Sequence, residues 1–196
     1  MKIFAFAAST SRQSINKKLV TYACSLIPNA NIEIVDLNDY ELPIFSVDRE
    51  EDLGHPALAQ AFFNKITTAD KLIISFAEHN GSYTAAYKNL FDWLSRINNK
   101  VFQNKPTLLL STSPGPGGAA SVMKSALHSA PFFAADVKAY LSIPRFFDNF
   151  DVSNNIINNR EINAELQVAV EQLCFDIFNE VINNEEMNTE PLSPVE

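Results

Sequence analysis

Apolar residues fall along this chain in two rhythms. Short, nearly uninterrupted apolar runs at Lys2 to Ala8, Ile32 to Val35, Lys71 to Phe76, Thr107 to Leu110 and Val137 to Leu141 predict strands covered on both faces. Between them apolar positions recur at helical spacing. Leu19, Tyr22, Ala23 and Leu26 mark Asn16 to Leu26, and Leu58, Ala61, Phe62 and Ile66 mark a helix after Pro56. Leu90, Phe91 and Leu94 mark Thr84 to Ile97, and Ala119 to Ala130 and Ile162 to Ile182 complete the set. Pro28-Asn29 ends the first helix, and Pro56 suits a helix start because its missing N–H has no intrahelical use there. Asn38 to His55 and the aromatic stretch Ile143 to Asn159 read as irregular.

Strands and helices alternate five times, which predicts an α/β protein with a parallel sheet between two helical layers. For five strands the flavodoxin-like three-layer sandwich of order 2-1-3-4-5 is the natural candidate. Its ligand crevice lies beyond the carboxyl ends of the strands, beside the first. One domain is expected over residues 1–184, followed by a disordered acidic tail over 185–196 that contains two prolines.

Composition narrows the class of partner. A net charge of -8 disfavours nucleic acid, because no basic face is available to displace counterions from a phosphate backbone. No segment is long and apolar enough to span a bilayer, and no leader-like stretch precedes the first strand, so a cytoplasmic protein is expected. Cys24 and Cys174 lie in apolar helical contexts and read as reduced, buried thiols. His55 and His128 show no metal-ligand spacing, so no metal site is expected.

Three loops carry candidate chemistry. Ser9, Thr10, Ser11 and Ser14 put four hydroxyls into the six residues between the first strand and the first helix, with Arg12, Lys17 and Lys18 close by. A helix N-terminus with free N–H groups suits a phosphate there, although Ser14 alone would read as an ordinary cap. The second loop, Ala77-Glu78-His79-Asn80-Gly81-Ser82, has an Asn-Gly pair suited to positive φ. The third, Ser113-Pro114-Gly115-Pro116-Gly117-Gly118, holds three of the five glycines and lets backbone approach a flat ring. These loops follow strands one, three and four, neighbours in the expected sheet. A phosphate cradle with two backbone-rich walls describes a mononucleotide with a planar ring, and FMN fits.

The same residues resemble a family. Ala8 to Asn16 resembles the G-S-x-R-x-x-S-x-N phosphate loop of the NADPH-dependent FMN reductases, the flavodoxin-like group that includes quinone, chromate and azo-dye reductases. Ala77 to Ser82, followed by Tyr87-Lys88-Asn89-Leu90-Phe91-Asp92-Trp93-Leu94-Ser95-Arg96, resembles its most specific motif, and Ser111 to Gly118 its S-x-S-P-G-x-x-G-G loop. The resemblance implies FMN held by Ser9, Ser11, Arg12, Ser14, Ile15, Asn16, Ala77, Glu78, His79, Asn80, Gly81, Ser113, Pro114, Gly115, Gly117 and Gly118. It also implies hydride delivery from NADPH or NADH to the flavin and electron transfer to a quinone, azo compound, metal oxyanion or free flavin. The chemistry then resides on FMN, with no catalytic side chain, in a homodimer or homotetramer. The departures are Ala8 for the first glycine, Ser11 at the family arginine with Arg12 one position later, and Ala77 and His79 for the proline and tyrosine of the second motif. An FMN-binding electron-transfer module without NAD(P)H turnover is the alternative, compatible with the acidic charge. Phe45, Phe146, Phe147 and Phe150 fit equally a substrate wall and loop packing.

Overall fold

The structure is a computed structural model, and residues 1–175 are described in it. In chain order the first half holds β1 (Lys2–Ala8), α1 (Ile15–Ser25), β2 (Asn31–Val35), a 3-10 turn (Leu37–Tyr40), α2 (Val47–Leu53), α3 (Ala57–Thr68) and β3 (Lys71–Phe76). The second half holds β4 (Glu78–His79), β5 (Ser82–Tyr83), α4 (Ala85–Ile97), β6 (Pro106–Thr112), α5 (Ala120–Ser129), a 3-10 turn (Ala130–Phe133) and β7 (Asp136–Ile143). It closes with α6 (Phe146–Asn149), β8 (Phe150–Asp151), β9 (Ile156–Ile157) and α7 (Arg160–Leu173). The main sheet is parallel with order β2-β1-β3-β6-β7. With the short hairpin strands set aside, this is the expected flavodoxin-like order.

Alternation along each strand sends its residues to two cores. Ile3, Ala5 and Ala7 join Ile73, Leu108 and Leu110 beneath α1 and α7. Phe4, Phe6 and Ala8 join Leu72, Ile74 and Leu109 beneath α3, α4 and α5. Both faces of β1, β3 and β6 are therefore dry, which is why their sequences look uniformly apolar. Phe62 of α3 meets Phe4 and Phe6 edge-on at 5.2 and 5.1 Å, a favoured aromatic geometry. Truncating a ring buried this completely costs about 3–5 kcal/mol.

Two stretches expected to be irregular contain structure. Helix α2 buries no residue, so it has no apolar rhythm to betray it. It is held at its ends: Ser46 Oγ accepts from Arg49 N–H at 3.2 Å, and Gly54 stops it at φ 63°. Arg96 Nε donates to both Glu50 carboxylate oxygens, at 2.8 and 2.9 Å, tying α2 to α4. Between residues 143 and 159, α6 and the β8–β9 hairpin replace the expected loop, and Phe146 and Phe150 belong to the core, stacked at 4.6 Å. Helix α7 begins two residues earlier than expected because Asn159 caps Glu161 and Ile162. Its expected continuation to Ile182, and the acidic tail, lie outside the described residues. No helix among the described residues is long and apolar enough to cross a membrane.

Candidate functional site

β1, β3 and β6 end side by side: Ala8 pairs with Phe76, and Phe76 with Ser111. The loops leaving them meet in one cleft of about 210 Å³. Ser9, Ser11, Ser14, Ile15 and Asn16 line it from the first loop, Ala77, Glu78 and His79 from the second, and Thr112, Ser113 and Pro114 from the third. Three segments far apart in sequence thus share one cavity.

The first loop opens with a tight turn, Ser9 N–H donating to the Ala7 carbonyl at 2.8 Å. Ser11 N–H donates to Ser9 Oγ at 3.2 Å, and Lys17 N–H to Ser14 Oγ at 3.1 Å. Each hydroxyl accepts from backbone and keeps its own proton for another partner. The N–H groups of Ile15 and Asn16 stand in the first turn of α1, where no intrahelical acceptor exists, at the positive end of the helix dipole. This end of the cleft is built to receive an anion.

The nearby cations are placed elsewhere. Arg12 is exposed and lines an adjoining depression that shares Gln13 and Ser14 with the cleft and is completed by Lys17, Lys18, Thr21 and Asn155. Lys17 Nζ pairs with Asp36 at 2.6 Å, and that hydrogen bond holds the Asp36 carboxyl below its usual pKa. Asn16 is almost fully buried, and its carboxamide accepts from Ser75 Oγ at 2.8 Å and pairs with both backbone groups of Thr112.

The second loop is the β4–β5 hairpin, closed by Asn80 and Gly81 at φ 53° and 77°. Positive φ at both central residues is the type I′ requirement that Asn-Gly satisfies. These two residues form the exposed tip and do not line the cleft. Glu78 does, but one of its oxygens accepts from Val122 N–H at 2.8 Å. It thereby caps α5, whose own N-cap position is Ala119, with no side-chain hydrogen bond to offer. Thr84 Oγ1 donates to the Ala8 carbonyl at 3.0 Å and accepts from Tyr87 N–H at 3.2 Å, joining the end of β1 to the start of α4.

In the third loop Gly118 has φ 57°, and a Cβ there would meet Ile143 C and Pro144 N at 2.9 Å. Its close backbone approach is to the end of β7. Gly115, Gly117 and Gly118 do not line the cleft, whose third wall is Thr112, Ser113 and Pro114. Gln13 and Thr112, not among the expected cofactor contacts, also line it. Thr112 carried a signal, as the last strand residue before a Ser-Pro-Gly loop; Gln13 carried none. Of the four phenylalanines in question, Phe147 is exposed and Phe45 packs edge-on against Trp93 at 5.1 Å.

The sequence profile of the NADPH-dependent FMN reductases matches residues 1–148. The chain belongs to the NADPH-dependent FMN reductase family. Within it, the chain is 33% identical over 125 residues to an NADPH:quinone oxidoreductase of Arabidopsis thaliana, covering 62% of each chain. It is 36% identical over 122 residues to a 2-hydroxy-1,4-benzoquinone reductase of a Burkholderia species, covering 61% of this chain and 64% of the relative. The chain thus spans a little over three-fifths of the length of the curated relatives it matches. In fold it is similar to the flavoenzyme NAD(P)H:(acceptor) oxidoreductase FerB of Paracoccus denitrificans, with TM-score 0.71, 21% identity, and 88% and 94% of the two chains covered. All three motifs of this FMN reductase family member border the cleft or fix the elements around it.

Proposed function

We propose that this protein is an FMN-dependent NAD(P)H oxidoreductase passing electrons from a nicotinamide nucleotide to a small acceptor of the quinone class. One observation carries the reading: the loops after β1, β3 and β6 form a single cleft, with anion donors from the first loop and Ala77, His79, Ser113 and Pro114 among its other walls. Family membership and the activities of the quinone-reductase relatives support it.

The residues present fit FMN. The hydroxyls of Ser9, Ser11 and Ser14 and the amides of Ile15 and Asn16 would hold the phosphate, using neutral donors and a helix terminus. Ala77, His79, Ser113 and Pro114 would wall the ring. Bound flavin supplies the hydride and electron chemistry. The chain's contribution is to orient the ring and to fix the walls, which Glu78 does through α5 and Asn16 through β6. His79 is exposed at the cleft wall and is assigned a positioning part, because hydride transfer needs no protein acid. The small acceptor, and a second copy of the chain beside the site, complete the proposal.

Absorbance and FMN titration test the first half: the purified protein should carry or take up one FMN with quenching of its fluorescence. Anaerobic addition of NADPH or NADH should then bleach the bound flavin promptly, and added quinone should restore its colour. Flavin that leaves on desalting from excess FMN would sink the proposal. Bound flavin that bleaches only with a separate reductase would identify an electron carrier instead. Light scattering reads the oligomeric state.

A further inference from the structure

A second cavity of about 180 Å³ lies between α4 and α5, over the face of the sheet that carries Phe76 and Leu109. Its walls are mainly rings: Phe76 of β3, Tyr83 of β5, Tyr87 and Phe91 of α4, and Phe133 beyond α5. Tyr83 and Tyr87 stand 5.2 Å apart, and Phe133 meets Phe91 edge-on at 4.7 Å. The Tyr83 hydroxyl already has a partner, Ser129 Oγ at 3.3 Å. The Tyr87 hydroxyl has none among the described residues, although Tyr87 is only 4% exposed. No fully enclosed side-chain polar atom is left unpaired among the described residues, so this hydroxyl is not sealed in, and its residue lines the cavity.

We propose that this cavity binds a neutral one-ring aromatic bearing an oxygen, a phenol or a benzoquinone, whose oxygen meets the Tyr87 hydroxyl. Size supports a single ring, since an apolar cavity of about 150 Å³ accommodates benzene. The walls favour an aromatic occupant, which can pack offset or edge-on against several rings. The chemistry selects a neutral molecule. The charged residues on the lining, Lys88 and Asp92, neutralise each other at 2.6 Å and leave no counter-ion for a ligand. A ligand oxygen can take the hydrogen bond of the Tyr87 hydroxyl, whereas a purely apolar occupant would cover that hydroxyl without a partner, which is costly. Tyr83 faces this cavity while its paired residue across the hairpin, Glu78, faces the cofactor cleft, so the two sites share one hairpin. The inference does not rest on flavin chemistry.

Titration of the full chain with phenol and with benzene, followed by NMR, tests it. Phenol should bind saturably and about 10-fold more tightly than benzene, the factor that one hydrogen bond in an apolar site provides. Tyr87→Phe should bring the two affinities together, and Ala126→Leu, which fills the cavity from α5, should abolish both. Excess FMN should leave phenol binding unchanged. The proposal is overturned by absence of saturable phenol binding, by equal affinity for phenol and benzene, by displacement with FMN, or by binding that survives Ala126→Leu. Circular dichroism checks that each variant folds. If either variant fails to fold, the wild-type phenol-to-benzene ratio and the FMN competition decide.

Discussion

The carboxamide of Asn16 pairs with Thr112 as a neighbouring strand would: Oδ1 accepts the Thr112 N–H at 3.1 Å, and Nδ2 donates to the Thr112 carbonyl at 3.2 Å. The β3–β6 ladder ends at Phe76 and Ser111, so Asn16 takes over where β3 leaves the sheet. One helical side chain thereby locks the anion loop to the third wall of the cleft. Asn16→Ala leaves Ser75 Oγ and both Thr112 backbone groups without this partner in a buried setting. A loss of about 2–4 kcal/mol is expected in urea unfolding.

Glu78 acts at a distance as the cap of α5. Glu78→Ala should cost about 1 kcal/mol, the usual worth of a lost N-cap, while Glu78→Gln retains an acceptor oxygen and most of the stability. Thermal unfolding of the two variants side by side reads the difference.

Gly118 and Gly117 should respond unequally to alanine. At Gly118 the new Cβ meets backbone at 2.9 Å with φ at 57°, and the end of β7 cannot yield cheaply. A loss of about 1–3 kcal/mol is expected, against about 0.5 kcal/mol or less for Gly117→Ala, whose Cβ meets nothing within 4 Å. Denaturant midpoints check the contrast.

Arg12 is exposed and does not line the cleft, so Arg12→Ala should change FMN affinity by less than about three-fold, in line with an exposed charge in water. A much larger loss in a fluorescence titration would show that Arg12 swings round to the phosphate.

Acid should loosen the β2 edge. Lys65 hydrogen-bonds the Glu33 carboxylate, with Lys2 also contributing, and holds its pKa below the ordinary value; Lys17 does the same for Asp36. A folded pKa below the unfolded one means stability present above the unfolded value and lost as pH falls through the folded one. Unfolding midpoints should therefore drop below about pH 4.3, the ordinary glutamate value, and Glu33→Gln should flatten that limb. At the other extreme, burial pushes the Cys24 thiol up to about 12. A disulfide reagent at pH 8 should leave the folded protein's Cys24 and Cys174, both buried, untouched and label them only in urea.

The parts of the fold that were legible in the sequence are those that bury an apolar face. Dry strands such as Phe4 to Ala8 and the Ser14 cap announce themselves locally. Helix α2 buries nothing, so only Ser46 and Gly54 at its ends signalled it. The three wall-forming loops were readable because the strand order makes them neighbours. What individual residues do there was less so, since Asn16, Glu78 and Thr84 act on segments 96, 44 and 76 positions away.

Glu78 and Thr84 fasten both feet of the β4–β5 hairpin, one to α5 and the other to the end of β1. Its length is consequently locked, because an inserted residue would pull one foot from its anchor. Among the described residues, the turn at Ser153 and Asn154 is hydrogen-bonded to its own Asp151. A peptide tag or a labelling sequence belongs in that turn, where extra chain disturbs neither wall of the cleft.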